Sequence, residues 1–269
     1  MWRHNLEKKG VKAMSDWNPE KYLLFKNQRT QPAVDLAMRV KKYRPKTIVD
    51  IGCGPGNSSE VLRTVFPAAD IIGIDSSAGM IEKAKREHNS IRFLICGAEE
   101  LIGTYDLLFS NACLQWIPSH EKLIPQLMSK LNPGGVLAVQ IPMNAEEPLF
   151  RIIKDTAAEG KWNFENVHFE KNDTLLPEEY FDILSRCASN FELWETVYYH
   201  VMPCHEQLIE WVKGTRLRPY LDVLNPVQQS EFENDILLKA RAAYPVMANN
   251  EVVLKFRRFF FIAQKERES

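Results

Sequence analysis

The chain has 269 residues, 45% hydrophobic and 26% charged, with a formal net charge of −1. Such a chain can bury a sizeable core, and its near-neutral balance excludes the distinctly basic character of a nucleic-acid-binding domain. No apolar run reaches the roughly 18 residues a membrane span needs, and Met1-Trp2-Arg3-His4-Asn5-Leu6 lacks a signal core, so no membrane partner and a cytoplasmic location are expected.

In chain order, residues 1–13 read as a disordered leader ahead of a second plausible start at Met14. Residues 14–269 are expected to form a single domain, with 14–45 as N-terminal cover helices. Asn18-Pro19-Glu20 is a good helix start, with a capping Asn and Pro in the first turn. A helix is predicted from Pro19 to about Gln28, and Pro32 restarts a second one to Val40. Thr47–Ile51 is the first strand, and its helix runs to Phe66. Asp70–Asp75 is the second strand. Ser77 then caps a helix in which Met80, Ile81 and Ala84 share a face and Glu82 precedes Arg86 by one turn. Ile91–Cys96 and Tyr105–Ser110 are strands three and four. Ser119 caps a helix bearing Leu123, Ile124, Leu127 and Met128, with a kink expected at Pro125. Asn132-Pro133-Gly134-Gly135 reads as a turn before strand five, Val136–Ile141.

Strands alternating with helical patterns imply parallel pairing with right-handed crossovers and cover on both faces. Beyond Pro142 the chain becomes rich in aromatic residues. Pro177–Cys187 is predicted helical, Phe191–Met202 strand six, His205–Lys213 and Val227–Tyr244 helices, and Val252–Gln264 strand seven. The expected fold is α/β: a doubly wound, mostly parallel seven-stranded sheet with a helical cover insert over 205–244. Five cysteines without close pairs read as reduced packing residues. His and Cys show no metal-ligand spacing, so no metal is expected.

The chemistry concentrates in Asp50-Ile51-Gly52-Cys53-Gly54-Pro55-Gly56, at the end of strand one. Glycines at alternate positions let the backbone turn sharply and approach a ligand, with a helix N-terminus facing it. Asp75 closes the next apolar run, where an acid can take both hydroxyls of a ribose. A dinucleotide site usually reads Gly-x-Gly-x-x-Gly. Here the spacing is tighter, and Asp50 suits a cationic group better than a pyrophosphate. S-adenosylmethionine carries an ammonium and a sulfonium. A plain strand-turn-helix would also use glycines, but not the second acid one strand later.

This segment resembles the first motif of the class I S-adenosylmethionine-dependent methyltransferases. The resemblance implies that Gly52, Gly54 and Gly56 line the methionine part, with Asp50 behind them, and that Asp75 binds the ribose. Ser76, Ser77 and Met80 then border the adenosine. Gly97-Ala98-Glu99 is where such enzymes grip adenine. Many place an acid at the position of Gly97, and that acid is missing here. Asn111 is assigned to the cofactor. Met14-Ser15-Asp16-Trp17-Asn18-Pro19, Tyr22, Phe25, Arg29 and Pro32-Ala33 are similar to the trans-aconitate 2-methyltransferase family. So are Asn111-Ala112-Cys113-Leu114-Gln115-Trp116, Tyr198-Tyr199-His200-Val201-Met202-Pro203 and Leu217-Arg218-Pro219. Members of that family methylate a carboxylate of a small tricarboxylic acid to a monomethyl ester, and S-adenosylhomocysteine is the product of the donor.

The residues agree with a small anionic carboxylate substrate. Arg29, His200 and Arg218 are cations or potential cations on predicted cover elements, and arginine's fork matches a carboxylate. Tyr22 and Tyr198 offer hydroxyls, and Gln115 an amide. Trp116 either stacks on the ligand or fills the core. Arg257 and Arg258, adjacent in a strand, face opposite ways, so at most one points inward. An ionised carboxylate needs no general base, so no acid–base catalytic residue is expected. Alternatives are a related small-molecule or malonyl-thioester carboxyl methyltransferase, an O-methyltransferase using His200 as base, and a non-catalytic nucleoside-binding protein. The sequence does not set the oligomeric state, for which a monomer is the expectation.

Overall fold

The computed structural model describes residues 26–164 and 174–267, with backbone alone at 26–29. The predicted leader, the helix start at Asn18-Pro19 and Tyr22 lie outside the described residues. The first described element, α1 (Lys26–Val40), runs through Pro32, where the sequence predicts a restart. An internal proline costs about 3 kcal/mol. Leu36 and Val40, both fully buried beside Ala33 and Ala37, return about 1.5–3 kcal/mol each, which is enough to carry the helix across.

Seven strands follow: β1 (Thr47–Ile51), β2 (Asp70–Asp75), β3 (Arg92–Ile95), β4 (Tyr105–Asn111), β5 (Leu131–Pro142), β6 (Asn190–Met202) and β7 (Val252–Gln264). They form one sheet in the order β3-β2-β1-β4-β5-β7-β6. The pairs among β1 to β5 are parallel, and β7 is antiparallel to both β5 and β6. The order reverses between β1 and β4, which opens a crevice at the carboxyl ends of those strands. The helices are α2 (Asn57–Val65), α3 (Ala78–Glu87), α4 (His120–Ser129), α5 (Pro148–Ala157), α6 (Pro177–Cys187), α7 (His205–Lys213), α8 (Arg218–Leu221) and α9 (Pro226–Ala243).

Further details differ from the sequence reading. The Asn132-Pro133-Gly134-Gly135 turn is a bulge inside β5. Tyr105 pairs with Leu131 and Leu107 with Val136, so the intervening residues bow out, helped by Gly134 at φ 75°. Ser119 does stand at the start of α4, but at φ 60° and without a side-chain cap among the described residues. Helices α5 and α8 were not among the predicted elements.

One sheet face packs on α4 and α6 through Leu123, Leu127, Tyr180, Leu184, Phe259 and Phe261. The other packs on α1, α2 and α3 through Leu36, Leu62, Ile81, Phe109 and Phe260. The consecutive phenylalanines of β7 therefore serve both faces, as alternation requires. A third cluster joins α5, α7, α8 and α9 to Met202, Leu254 and Phe256. It lies at the carboxyl end of β6 and draws on 148–164 as well as on 205–244.

Candidate active site

The turn leaving β1 holds Gly52, Gly54 and Gly56 at φ 69°, 54° and 96°, a region that side chains other than glycine's disfavour. The three have different neighbours. A Cβ at Gly52 would stand 2.1 Å from Cys113 Sγ, and one at Gly56 2.5 Å from the His88 ring. Among the described residues nothing lies within 4 Å of a Cβ at Gly54, so that backbone is open to a ligand. Gly52 and Cys53 donate to the Ile74 carbonyl at 2.8 and 3.0 Å, and Gly54 donates to Asp75 Oδ2 at 2.9 Å.

Asp75 is half-buried. Its Oδ1 accepts from the Ser77 amide at 2.9 Å. Burial pushes its carboxyl above the ordinary value, against the pull of the Ser77 and Gly54 amides. A carboxylate oxygen accepts more than one hydrogen bond, so capacity for ribose hydroxyls remains. Ser76 is exposed and Met80 buried. Ser77 caps α3 by accepting from the Met80 amide at 3.3 Å.

Asp50 is fully buried. The Ser58 and Ser59 hydroxyls each donate to its Oδ2 at 2.6 Å, and its Oδ1 has no hydrogen-bond partner among the described residues. Burial pushes this carboxyl up to about 6. The two serines were not singled out in the sequence. Their signal is a hydroxyl pair in the first turn of the helix that follows the acid.

In the segment expected to meet adenine, Ala98–Glu100 form a single 3-10 turn. Ala98 is buried and Glu99 exposed, with the Glu99 carbonyl accepting from Gln126 at 2.8 Å. The carboxylate that folds back is Glu100, which accepts the Gly97 amide at 2.9 Å.

β4 delivers the next group. Asn111 Oδ1 and Gln115 Oε1 are buried acceptors without partners among the described residues. Ala112 is left-handed at φ 55°, and its amide donates to the Gln140 carbonyl at 3.0 Å. Gln115 Nε2 braces this kink by donating to the Ala112 carbonyl at 2.7 Å. Trp116 is 41% exposed, so it does not fill the core. His120, another residue the sequence reading missed, lies 2.7 Å from the Leu114 carbonyl through Nε2 and 2.6 Å from the Tyr180 hydroxyl through Nδ1. The carbonyl can only accept, so Nε2 carries the proton and Nδ1 accepts from Tyr180. This pair pins the turn Leu114–Trp116 to α6.

The residues expected to meet the substrate have local partners of their own. The Tyr198 hydroxyl donates to Asp35 Oδ2 at 2.5 Å. His200 is 5% exposed, its ring 4.6 Å from that of Trp211 and 5.7 Å from that of Phe256. Arg218 lies 3.6 Å from Asp222 one turn on. Arg29 is described by backbone only. Asp35 meets Tyr198, and Arg39 meets Glu192 and Trp194. The N-terminus of α1, and Arg29 with it, therefore points towards the carboxyl end of β6. Of the adjacent arginines, Arg257 is exposed and Arg258 is buried.

The reversed strand order, the antiparallel β7 and the glycine corner beside Asp75 define the fold of a class I methyltransferase. Residues 44–180 match a methyltransferase-domain family. The chain is 38% identical over 262 residues to trans-aconitate 2-methyltransferase of Variovorax paradoxus, covering 94% of this chain and 100% of that protein. It is 40% identical over 258 residues to the enzyme of the same name from Methylobacterium nodulans, again covering 94% and 100%. The crystal structure of the YcgJ protein of Bacillus subtilis shares the fold, with a TM-score of 0.56, 13% identity and coverage of 89% of this chain and 100% of that one. The chain belongs to the trans-aconitate 2-methyltransferase family of S-adenosylmethionine-dependent methyltransferases.

Proposed function

We propose that this chain transfers the methyl group of S-adenosylmethionine to one carboxylate of trans-aconitate, giving a monomethyl ester and S-adenosylhomocysteine. The observation that carries the reading is the open Gly54 backbone tied to Asp75. It fits a nucleoside whose sugar meets an acid and whose amino-acid tail crosses bare backbone. The bound cofactor supplies an electrophilic methyl group on a sulfonium. In this reading Gly52, Gly54 and Gly56 line the methionine tail, and Asp50 and the Asn111 acceptor answer its positive charge. Asp75 takes the ribose, and Ser76, Met80, Gly97, Ala98 and Glu99 surround the adenosine.

The acceptor carboxylate is already ionised at neutral pH, so the protein need not remove a proton. Its tasks are placement in line with the methyl group and exclusion of water, which stabilises separated charges more than a transition state in which they fade. Trp116 and the helical cover suit the second task. Cations belong on the carboxylates that do not react, since one held on the attacking oxygen would weaken it as a nucleophile. In this reading the chain is one domain, monomeric and cytoplasmic. Among the described residues no helix is long and apolar enough to cross a membrane.

The test is a panel of di- and tricarboxylates and a malonyl thioester, each incubated with labelled methyl donor and analysed by mass spectrometry. Label in a trans-aconitate monomethyl ester is expected. Label in the malonyl thioester alone would move the acceptor to another class.

A further inference from the structure

We propose that Arg258 and Gln140 form the subsite that holds a non-reacting carboxylate of the acid, an inference that rests on the acceptor class proposed above. Because β7 runs antiparallel to β5, the residue opposite Pro142, the last of β5, is Arg258. The guanidinium therefore stands at the carboxyl ends of the parallel strands, the side on which ligands of such sheets bind. It is also the arginine of the adjacent pair that turns inward, at 5% exposure.

Its surroundings suit an anion. Arg258 Cζ lies 4.4 Å from the Phe256 ring centroid, and Nη1 donates to Gln140 Oε1 at 3.4 Å. That contact fixes the amide, because the reverse orientation would set donor against donor. Gln140 Nε2 is then a donor on a fully buried side chain with no hydrogen-bond partner among the described residues. Leaving such a donor unmet is costly, and cores rarely do so without a reason. A carboxylate placed here meets the Gln140 donor and the guanidinium fork together. Arg218, by contrast, faces Asp222 on a half-exposed helix.

The experiment measures binding of trans-aconitate, and of dicarboxylates lacking one of its three acid groups, to the full chain saturated with S-adenosylhomocysteine. Isothermal calorimetry reads both the acid and the nucleoside. Arg258→Gln should keep nucleoside affinity and weaken trans-aconitate by about 100-fold or more. It should leave unchanged the dicarboxylate that lacks the held group, so the preference for three carboxylates collapses. Equal weakening of every acid, or an unchanged trans-aconitate affinity, would overturn the subsite.

Gln140→Glu is nearly isosteric and sets a carboxylate of the protein's own against Arg258. It should fold, bind the nucleoside and lose trans-aconitate to a similar degree, and it decides the matter if Arg258→Gln does not fold. Parent-like acid affinity in Gln140→Glu also overturns the inference. A parent protein that binds the nucleoside but no acid would instead sink the proposed acceptor class, and the subsite with it.

Discussion

Asp50 couples stability to pH. Two serine hydroxyls reach one of its oxygens, and burial pushes its carboxyl up to about 6. The unfolded chain titrates near the ordinary value of about 3.9, so the folded protein holds this proton more tightly. Asp50's contribution to stability is therefore full below about pH 4, falls as pH rises from about 4 to about 6, and is flat above that. At pH 7 the ionised group costs roughly 3 kcal/mol. Asp50→Asn keeps an acceptor for Ser58 and Ser59 and removes the charge. It should raise the Tm of the ligand-free protein at pH 7, with a gain that shrinks as the melt is repeated at pH 5, while nucleoside affinity falls. A gain independent of pH would mean that burial of the charge is not its source.

At the scale of the element, the β1–α2 corner separates glycines packed against side chains, Gly52 and Gly56, from Gly54, which is not. Gly52→Ala drives a methyl into Cys113, whose Sγ would be 2.1 Å and Cβ 2.3 Å away. It should yield no soluble, cooperatively melting protein. Gly54→Ala meets no atom within 4 Å among the described residues and costs only the left-handed penalty, about 1–2 kcal/mol. It should fold with a lowered Tm and lose S-adenosylhomocysteine binding in calorimetry. Parent-like binding by Gly54→Ala would take the ligand off that backbone. The turn after β4 is built in the same spirit. Gln115 braces Ala112 from within, and His120 with Tyr180 holds Leu114 from two different helices.

At the scale of the whole molecule, the sheet carries the glycine corner, and an aromatic cover packs at the carboxyl end of β6. Phe232 is fully buried in that cover, with Trp162, Phe164 and Tyr220 at ring distances of 5.0, 5.5 and 5.6 Å. Phe232→Ala should cost about 3–5 kcal/mol in denaturant unfolding and raise the KM for the acid while sparing nucleoside affinity. Matching losses for both ligands would show that cover and corner do not act separately. The strands, the glycine corner and Asp75 were legible in the sequence because each is a local signal. β-branched runs punctuated by glycine mark a strand, and one turn with the acid closing the next strand marks the corner. Pro32 and the Pro133-Gly134-Gly135 bulge were misread for the same reason: the local rule is sound, but burial of α1 and pairing with β4 and β7 override it. Helix α5 escaped because only Leu149, Ile153 and Thr156 of it are buried, a short signal beside the long ones. The substrate side was legible only as a set of candidate cations. Tertiary structure alone turned Arg258 inward, set it against Gln140, 118 residues away, gave the Tyr198 hydroxyl to Asp35, and exposed Trp116. Turns and strand ends obey the energetics of a few neighbouring residues, whereas the partner of a buried charge depends on which distant strands the sheet brings side by side.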